Sequence, residues 1–178
     1  PQTAFGRRMA QGRFSPVTEE TSEEEFLTVH DTLTAAGFEH YEVSNYALPG
    51  FRARHNASYW HGTKYLGIGP AAHSFDGEER HWNASSVEKY IAGAPAGKEV
   101  LTRRDRFNEY VMTALRTVEG IDLEEAAARF GAKRLARMQE EAAPFLRSGT
   151  LRIARGRMAL PPEKFLISDA VIGALFET

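Results

Sequence analysis

The residues best suited to chemistry lie between Phe38 and Gly77, where aromatic and histidine side chains gather beside glycines. The stretch contains Tyr41-Glu42-Val43-Ser44-Asn45-Tyr46, then His55-Asn56-Ala57-Ser58-Tyr59-Trp60, then Leu66-Gly67-Ile68-Gly69-Pro70-Ala71-Ala72-His73-Ser74. Flat apolar rings with a few polar groups make a binding surface, and glycine lets a ligand or a neighbouring element come close to the backbone. His55, His61, His73 and His81 fall within 27 residues, which raises the question of a histidine metal site. None of them stands four residues from another, as the paired histidines of a zinc-enzyme helix do, and no acidic partner is obviously placed. Glu42 and Asp76 have the chemistry of a general acid and base, but such carboxylates mostly serve as solvated or hydrogen-bonded structural groups. Gly67-Ile68-Gly69 is a lone glycine pair, too little for a dinucleotide fingerprint, and marks close backbone approach at a strand end.

These residues need elements to hold them. Ser22 and Glu25 form a capping-box pattern, Phe26, Val29, Leu33 and Ala36 recur at helical spacing, and Gly37 supplies a stop, predicting a helix over 22–36. Residues 1–17 show no sustained periodicity and read as a surface segment. Residues 38–44 alternate as a strand, so helix, glycine and strand make one step of a layered α/β structure. Residues 45–62 read as a long loop, 65–68 as a second strand, Asp76-Gly77 as a hairpin turn leading to Arg80–Trp82, and 86–91 as a short helix. The small residues from Ala92 to Gly97 mark a boundary between a first unit, 1–97, and a second, 98–178. Beyond it, helices are expected at 102–118, 122–130, 132–147 and 165–176, with a hairpin turning at Arg155-Gly156. Three helices, a hairpin and a closing helix resemble a winged-helix arrangement.

Composition narrows the options. With 178 residues, 42% of them hydrophobic, the chain can bury a core, and no apolar run approaches the roughly 18 to 20 residues that span a bilayer. No secretory signal is evident, so a cytoplasmic location is expected. A net charge of −2 argues against nucleic-acid binding through bulk charge. From Lys133 to Arg157, however, seven basic residues face two acidic ones, and in a winged helix that excess suits a recognition helix and a wing on DNA. The competing reading is a packing module, because Glu140 and Glu141 lie on the same helix. The chain has no cysteine, which removes disulfides, thiolate metal sites and cysteine nucleophiles.

Three ordered motifs carry a family resemblance: Tyr41-Glu42-Val43-Ser44-Asn45-Tyr46-Ala47 with Pro49-Gly50, Arg54-His55-Asn56 with Tyr59-Trp60, and Tyr65 to Pro70 with Ala72-His73-Ser74. Together they resemble the oxygen-independent coproporphyrinogen III oxidase family, and the His-Asn-x-x-Tyr-Trp element is most similar to its haem chaperone branch. The resemblance extends over essentially the whole chain. It implies a radical S-adenosylmethionine protein in tetrapyrrole metabolism, built on a partial (β/α) barrel followed by a mostly helical, winged-helix-like domain. The chain then reads as the end of that barrel, 1–97, and the accessory domain, 98–178, of a longer protein, entering at Pro1 without an initiator methionine. In the family, a three-cysteine loop holds a [4Fe-4S] cluster that binds S-adenosylmethionine, so this chain, lacking cysteine, is expected to be inert alone. The resemblance also implies haem contact at His55, Asn56, Tyr59 and Trp60, with His55 as iron ligand; it implies that His73 lies by a second S-adenosylmethionine and lines the same cavity, with Gly67 and Gly69 letting a ligand approach. The partners implied are haem or a porphyrin and proteins that receive haem. The alternative within the family is oxidative decarboxylation of coproporphyrinogen III.

Overall fold

The computed structural model describes residues 3–95 and 97–178. Pro1 and Gln2 of the expected surface segment, and Ala96 of the expected boundary, lie outside the described residues. Within the expected surface segment lies helix α1 (Ala4–Ala10), which buries no residue; the Thr3 hydroxyl caps it by accepting from the Gly6 N–H. Helix α2 runs Glu19–Ala35, starting earlier than the expected Ser22 because the Thr18 hydroxyl accepts from the Thr21 N–H. The acidic residues Glu19 and Glu20 then fall in the first turn, where the helix dipole favours them.

After Gly37 the chain forms β1 (Glu39–Glu42), which turns back as β2 (Asn45–Ala47) in an antiparallel pair with a register irregularity between His40 and Glu42. The expected long loop contains this second strand and also helix α3 (Arg54–Trp60). The expected strand over 65–68 reduces to a single bridge between Tyr65 and Phe75. Strands β3 (His73–Phe75), β4 (Glu79–Trp82) and β5 (Gly97–Val100) make an antiparallel sheet in that order, with α4 (Val87–Ile91) between β4 and β5. The turn at Asp76-Gly77 is as expected. Because β5 pairs along β4 through Val100, the sheet extends past residue 97 before the helical region opens.

That region starts with α5 (Arg103–Ala114), held by a reciprocal capping box of Thr102 and Asp105. Strand β6 (Ile121–Asp122), α6 (Leu123–Phe130), α7 (Ala132–Arg147), β7 (Arg152–Ala154) and β8 (Arg157–Ala159) follow. The sheet order is β6-β8-β7, antiparallel throughout. A 3-10 helix (Pro162–Ile167) leads into α8 (Ser168–Leu175). Three helices, a small sheet and a protruding hairpin give the winged-helix-like arrangement expected from the sequence, and the whole is a mixed α/β architecture.

The main core is assembled from this second region: Phe107, Val111 and Leu115 of α5 meet Met138 and Ala142 of α7, with Met158, Leu160, Phe165, Val171 and Leu175 closing around them. The first region docks on it along β1. The Val43 N–H donates to the Arg116 carbonyl and the Val118 N–H to the Tyr41 carbonyl, so the strand edge is continued by the segment after α5. Beside it, buried His40 stacks on Tyr46 with ring centroids 4.0 Å apart and meets Phe165 edge-on at 5.0 Å. Arg52 spans the same junction, donating to Glu39 at 2.9 Å and to Glu119 at 2.5 Å.

Candidate functional site

Helix α3 begins without a side-chain cap and is only two turns long, so packing against α5 holds it more than its own propensity does. It carries the His-Asn-x-x-Tyr-Trp element. His55 and Tyr59, one turn apart, lie on its exposed side, with their rings edge-on at 5.2 Å and the Tyr59 hydroxyl 3.3 Å from His55 Nε2. Asn56 is exposed beside them. Trp60 turns inward, and its indole N–H is buried with no hydrogen-bond partner among the described residues.

Tyr59 and Trp60 form one wall of a cavity of about 410 Å³. Tyr65 and Phe75 extend this aromatic wall, and α5 with the start of α6 supplies the opposite side, including Arg106, Glu109 and Tyr110. Burial, helped by the negative charge of Glu125, pushes the Tyr110 phenol up to about 12, so it stays protonated and donates to the Asp122 carbonyl at 3.2 Å. The cavity joins flat apolar faces to charged groups of both signs. It suits a planar ligand with polar edges.

His73 lies elsewhere. With Trp82, Asn83 and Lys89 it lines a second hollow of about 350 Å³, its ring 6.0 Å from that of Trp82. The expected wall shared by the His55–Trp60 element and His73 is therefore two separate hollows on this chain. The glycines near His73 answer to the fold itself. A side chain at Gly67 would collide with the backbone of His73, and Gly69 takes φ +108°, a conformation L side chains rarely adopt. Asn83 Nδ2 donates to both their carbonyls, and the Gly69 N–H reaches the Tyr90 hydroxyl, so the loop 67–69 is tied down from the far side of the sheet.

The other sequence candidates also have structural partners. Buried Glu42 accepts from the Asn45 side chain and the Ser44 N–H. Asp76 accepts from the N–H groups of Glu79 at 2.7 Å and Glu78 at 2.9 Å, and these bonds hold its carboxyl below the usual range. Among the described residues no three histidine or acidic side chains gather as a metal site. On α7, Arg134 pairs with Glu177 at 2.6 Å and Arg137 donates to the Phe176 carbonyl. Arg157 holds Asp122 and the carbonyls of Glu119 and Gly120. Arg134 and Arg137 of the third helix are thus engaged with the C-terminal end. No helix among the described residues is long and apolar enough to cross a membrane.

Sequence reasoning missed two features. The cavity draws on residues from 59 to 157 that no local motif connects. The second is a pair of histidines, His30 on α2 and His40 on β1, whose Nδ1 atoms are 3.0 Å apart; the only sequence signal was a histidine on each of two adjacent elements.

Comparison with known proteins agrees with this architecture. Residues 101–167 match the family model of the HemN C-terminal domain. A haem chaperone HemW of Mycobacterium tuberculosis is 35% identical over 179 aligned residues, covering 97% of this chain and 44% of the relative. One from Lactococcus lactis is 33% identical over 132 residues, covering 72% of this chain and 35% of the relative. The chain thus spans less than half the length of these relatives. Among solved structures, the Escherichia coli coproporphyrinogen III oxidase (HemN), described as a radical SAM enzyme, shares the fold with a TM-score of 0.70 at 16% identity, over 94% of this chain and 44% of that one. With three motifs in order, a matching C-terminal domain and a common fold, the chain belongs to the HemN and HemW family of coproporphyrinogen III oxidase-like proteins.

Proposed function

We propose that this chain forms the haem-contacting part of a haem chaperone, with haem as cargo rather than resident cofactor. The observation that carries the reading is the division of labour on α3: His55 stands exposed with its Nε2 3.3 Å from the hydroxyl of Tyr59, and Tyr59 and Trp60 line the aromatic cavity. An accessible imidazole is an ordinary ligand of haem iron, and tyrosine and tryptophan faces cover a porphyrin edge. Among the described residues, the hydrogen-bond contact of His55 Nε2 is the Tyr59 hydroxyl at 3.3 Å, an exposed contact that a metal displaces at little cost. Asn56, next in the chain, offers an amide to a ligand that meets the helix from solvent.

The family's [4Fe-4S] cluster needs thiolates, and none of the 178 residues is cysteine. The residues here do not fit that group, and no step is derived through it. S-adenosylmethionine binding belongs to the same proposal for the longer protein. On this chain, His73 in its hollow with Trp82 is the candidate contact, while Gly67 and Gly69 have roles within the loop.

The test is haem titration of the intact protein followed by its Soret absorption. Binding with a spectrum that shifts or disappears on His55→Ala is the expected result, and a spectrum indifferent to that substitution rejects His55 as ligand. The common fold with coproporphyrinogen III oxidase supports a second reading, oxidative decarboxylation of that porphyrinogen. Anaerobic product formation by the intact protein, supplied with reductant and S-adenosylmethionine, would favour it over haem carriage.

A further inference from the structure

The charges around the large cavity are almost completely internally matched. Arg80 pairs with Glu109 at 2.6 Å, Arg129 with Glu125 at 2.7 Å, and Arg157 with Asp122 at 2.9 Å, while Glu119 is taken by Arg52. Arg106 is the exception. Its guanidinium, half-buried on α5, has no ion pair or side-chain hydrogen bond among the described residues. The indole N–H of Trp60, another residue lining the cavity, is buried and likewise has no acceptor among the described residues. Buried donors are nearly always satisfied, and leaving one unpaired costs more than a hydrogen bond returns. The buried Trp60 N–H, beside an unpaired guanidinium in one cavity whose carboxylates are all engaged, calls for an acceptor supplied from outside.

We infer that Arg106 and Trp60 bind a carboxylate of the ligand, so that the cavity selects tetrapyrroles by their acidic side chains. This rests on the haem reading above and adds to it a recognition element on a different helix from His55. Guanidinium suits the task because its planar fork matches a carboxylate and it keeps its charge at any physiological pH. The Trp60 N–H adds a neutral donor beside the ring face that covers the macrocycle. His55 contributes affinity for iron, and Arg106 affinity for the acid groups, so the two are separable by ligand chemistry.

The experiment titrates the intact protein with haem and with haem dimethyl ester, whose two acid groups are blocked. Haem is expected to bind about tenfold or more tightly than the ester. Arg106→Gln should weaken haem by a similar factor and leave the ester unchanged, which also shows that the variant is folded. Arg106→Lys should restore part of the loss, and Trp60→Phe should reproduce a smaller share of it. Equal binding of haem and ester by the wild-type protein, or an Arg106→Gln loss that falls equally on both, overturns the assignment. If that result comes with a clear effect of His55→Ala, the haem reading stands and only the carboxylate contact fails. Absence of binding by either ligand overturns both.

Discussion

Residues 101–178 and residues 3–100 carry similar amounts of regular structure but are held together in different ways. All fourteen residues of the main core lie at or beyond Phe107, whereas among the described residues of the first region only Tyr41 and Ala47 bury apolar side chains. Helices α1, α2, α3 and α4 bury no residue fully. Leu66 and Ile68 are 79% and 83% exposed, and Phe51 and Ile91 are nearly as open. The second region is a packed module that positions α5. The first is a set of hairpins and short helices whose shape depends on local hydrogen bonds and on docking through β1. The proposed ligand residues sit at their junction, with α3 from the loose side facing α5 from the tight one. That division suits a carrier, because a wall resting on few buried contacts opens at low free-energy cost.

The largest effect expected from this contrast is on the packed side. Leu115 is fully buried where α5 ends, among the core residues. Leu115→Ala should lower unfolding stability by about 2–5 kcal/mol, read as a drop in the urea midpoint at unchanged slope. Because β1 is bonded to Arg116 and Val118, the first region should lose structure in the same transition. A first region that keeps its hydrogen-exchange protection after the second unfolds would break the proposed dependence.

The same asymmetry explains which parts of the molecule were legible in the sequence. Helix α7 is found at its expected bounds, because Gly131 and Gly149 flank a stripe of Leu135, Met138, Ala142 and Leu146 that one core accepts. The β7–β8 hairpin is likewise marked by Arg155-Gly156, both at positive φ. Helix α3 was not legible: over Arg54–Trp60 there is no capping side chain and no apolar stripe, so its helicity comes from tertiary packing that no local pattern encodes. The apolar run Leu66–Ile68 reads as a strand, but Gly67 lies against the His73 backbone and the two apolar side chains point to solvent, so only Tyr65 pairs. The His-Asn-x-x-Tyr-Trp residues were visible as a motif; their opposing wall on α5 was not, because cavity partners far apart in sequence leave no periodic trace.

A smaller effect should appear where the two regions meet. His40 is 3% exposed, surrounded by Phe26, Tyr46 and Phe165, and its nearest titratable neighbour is His30. Burial, followed by the nearby His30 charge, lowers its pKa to about 4 from 6.5. The unfolded chain then binds the proton more readily than the folded one, so stability falls as pH drops from about 6.5 towards 4 and is complete above that window. The shift corresponds to about 3 kcal/mol. Urea midpoints taken at pH 7 and pH 4.5 should therefore differ more in the wild-type chain than in His40→Leu, where this contribution is gone. Parallel pH profiles for the two would remove His40 as the junction's acid-sensitive contact.

The smallest effect is predicted for the most conspicuous apolar residue. Ile68 is almost wholly exposed, so replacing it removes little buried area, and Ile68→Thr in the 178-residue chain should change stability by no more than about 0.5 kcal/mol. The informative step is to repeat the measurement in the intact protein. There, a loss of about 1 kcal/mol or more, approaching the value of a buried isoleucine, would mean that Ile68 is covered. The first region would then be loose only in the absence of its neighbour, and the contrast with the second would be one of partners rather than of intrinsic stability. An equal, negligible change in both would leave Ile68 as plain surface, and the looseness of the α3 wall as a property of this region itself.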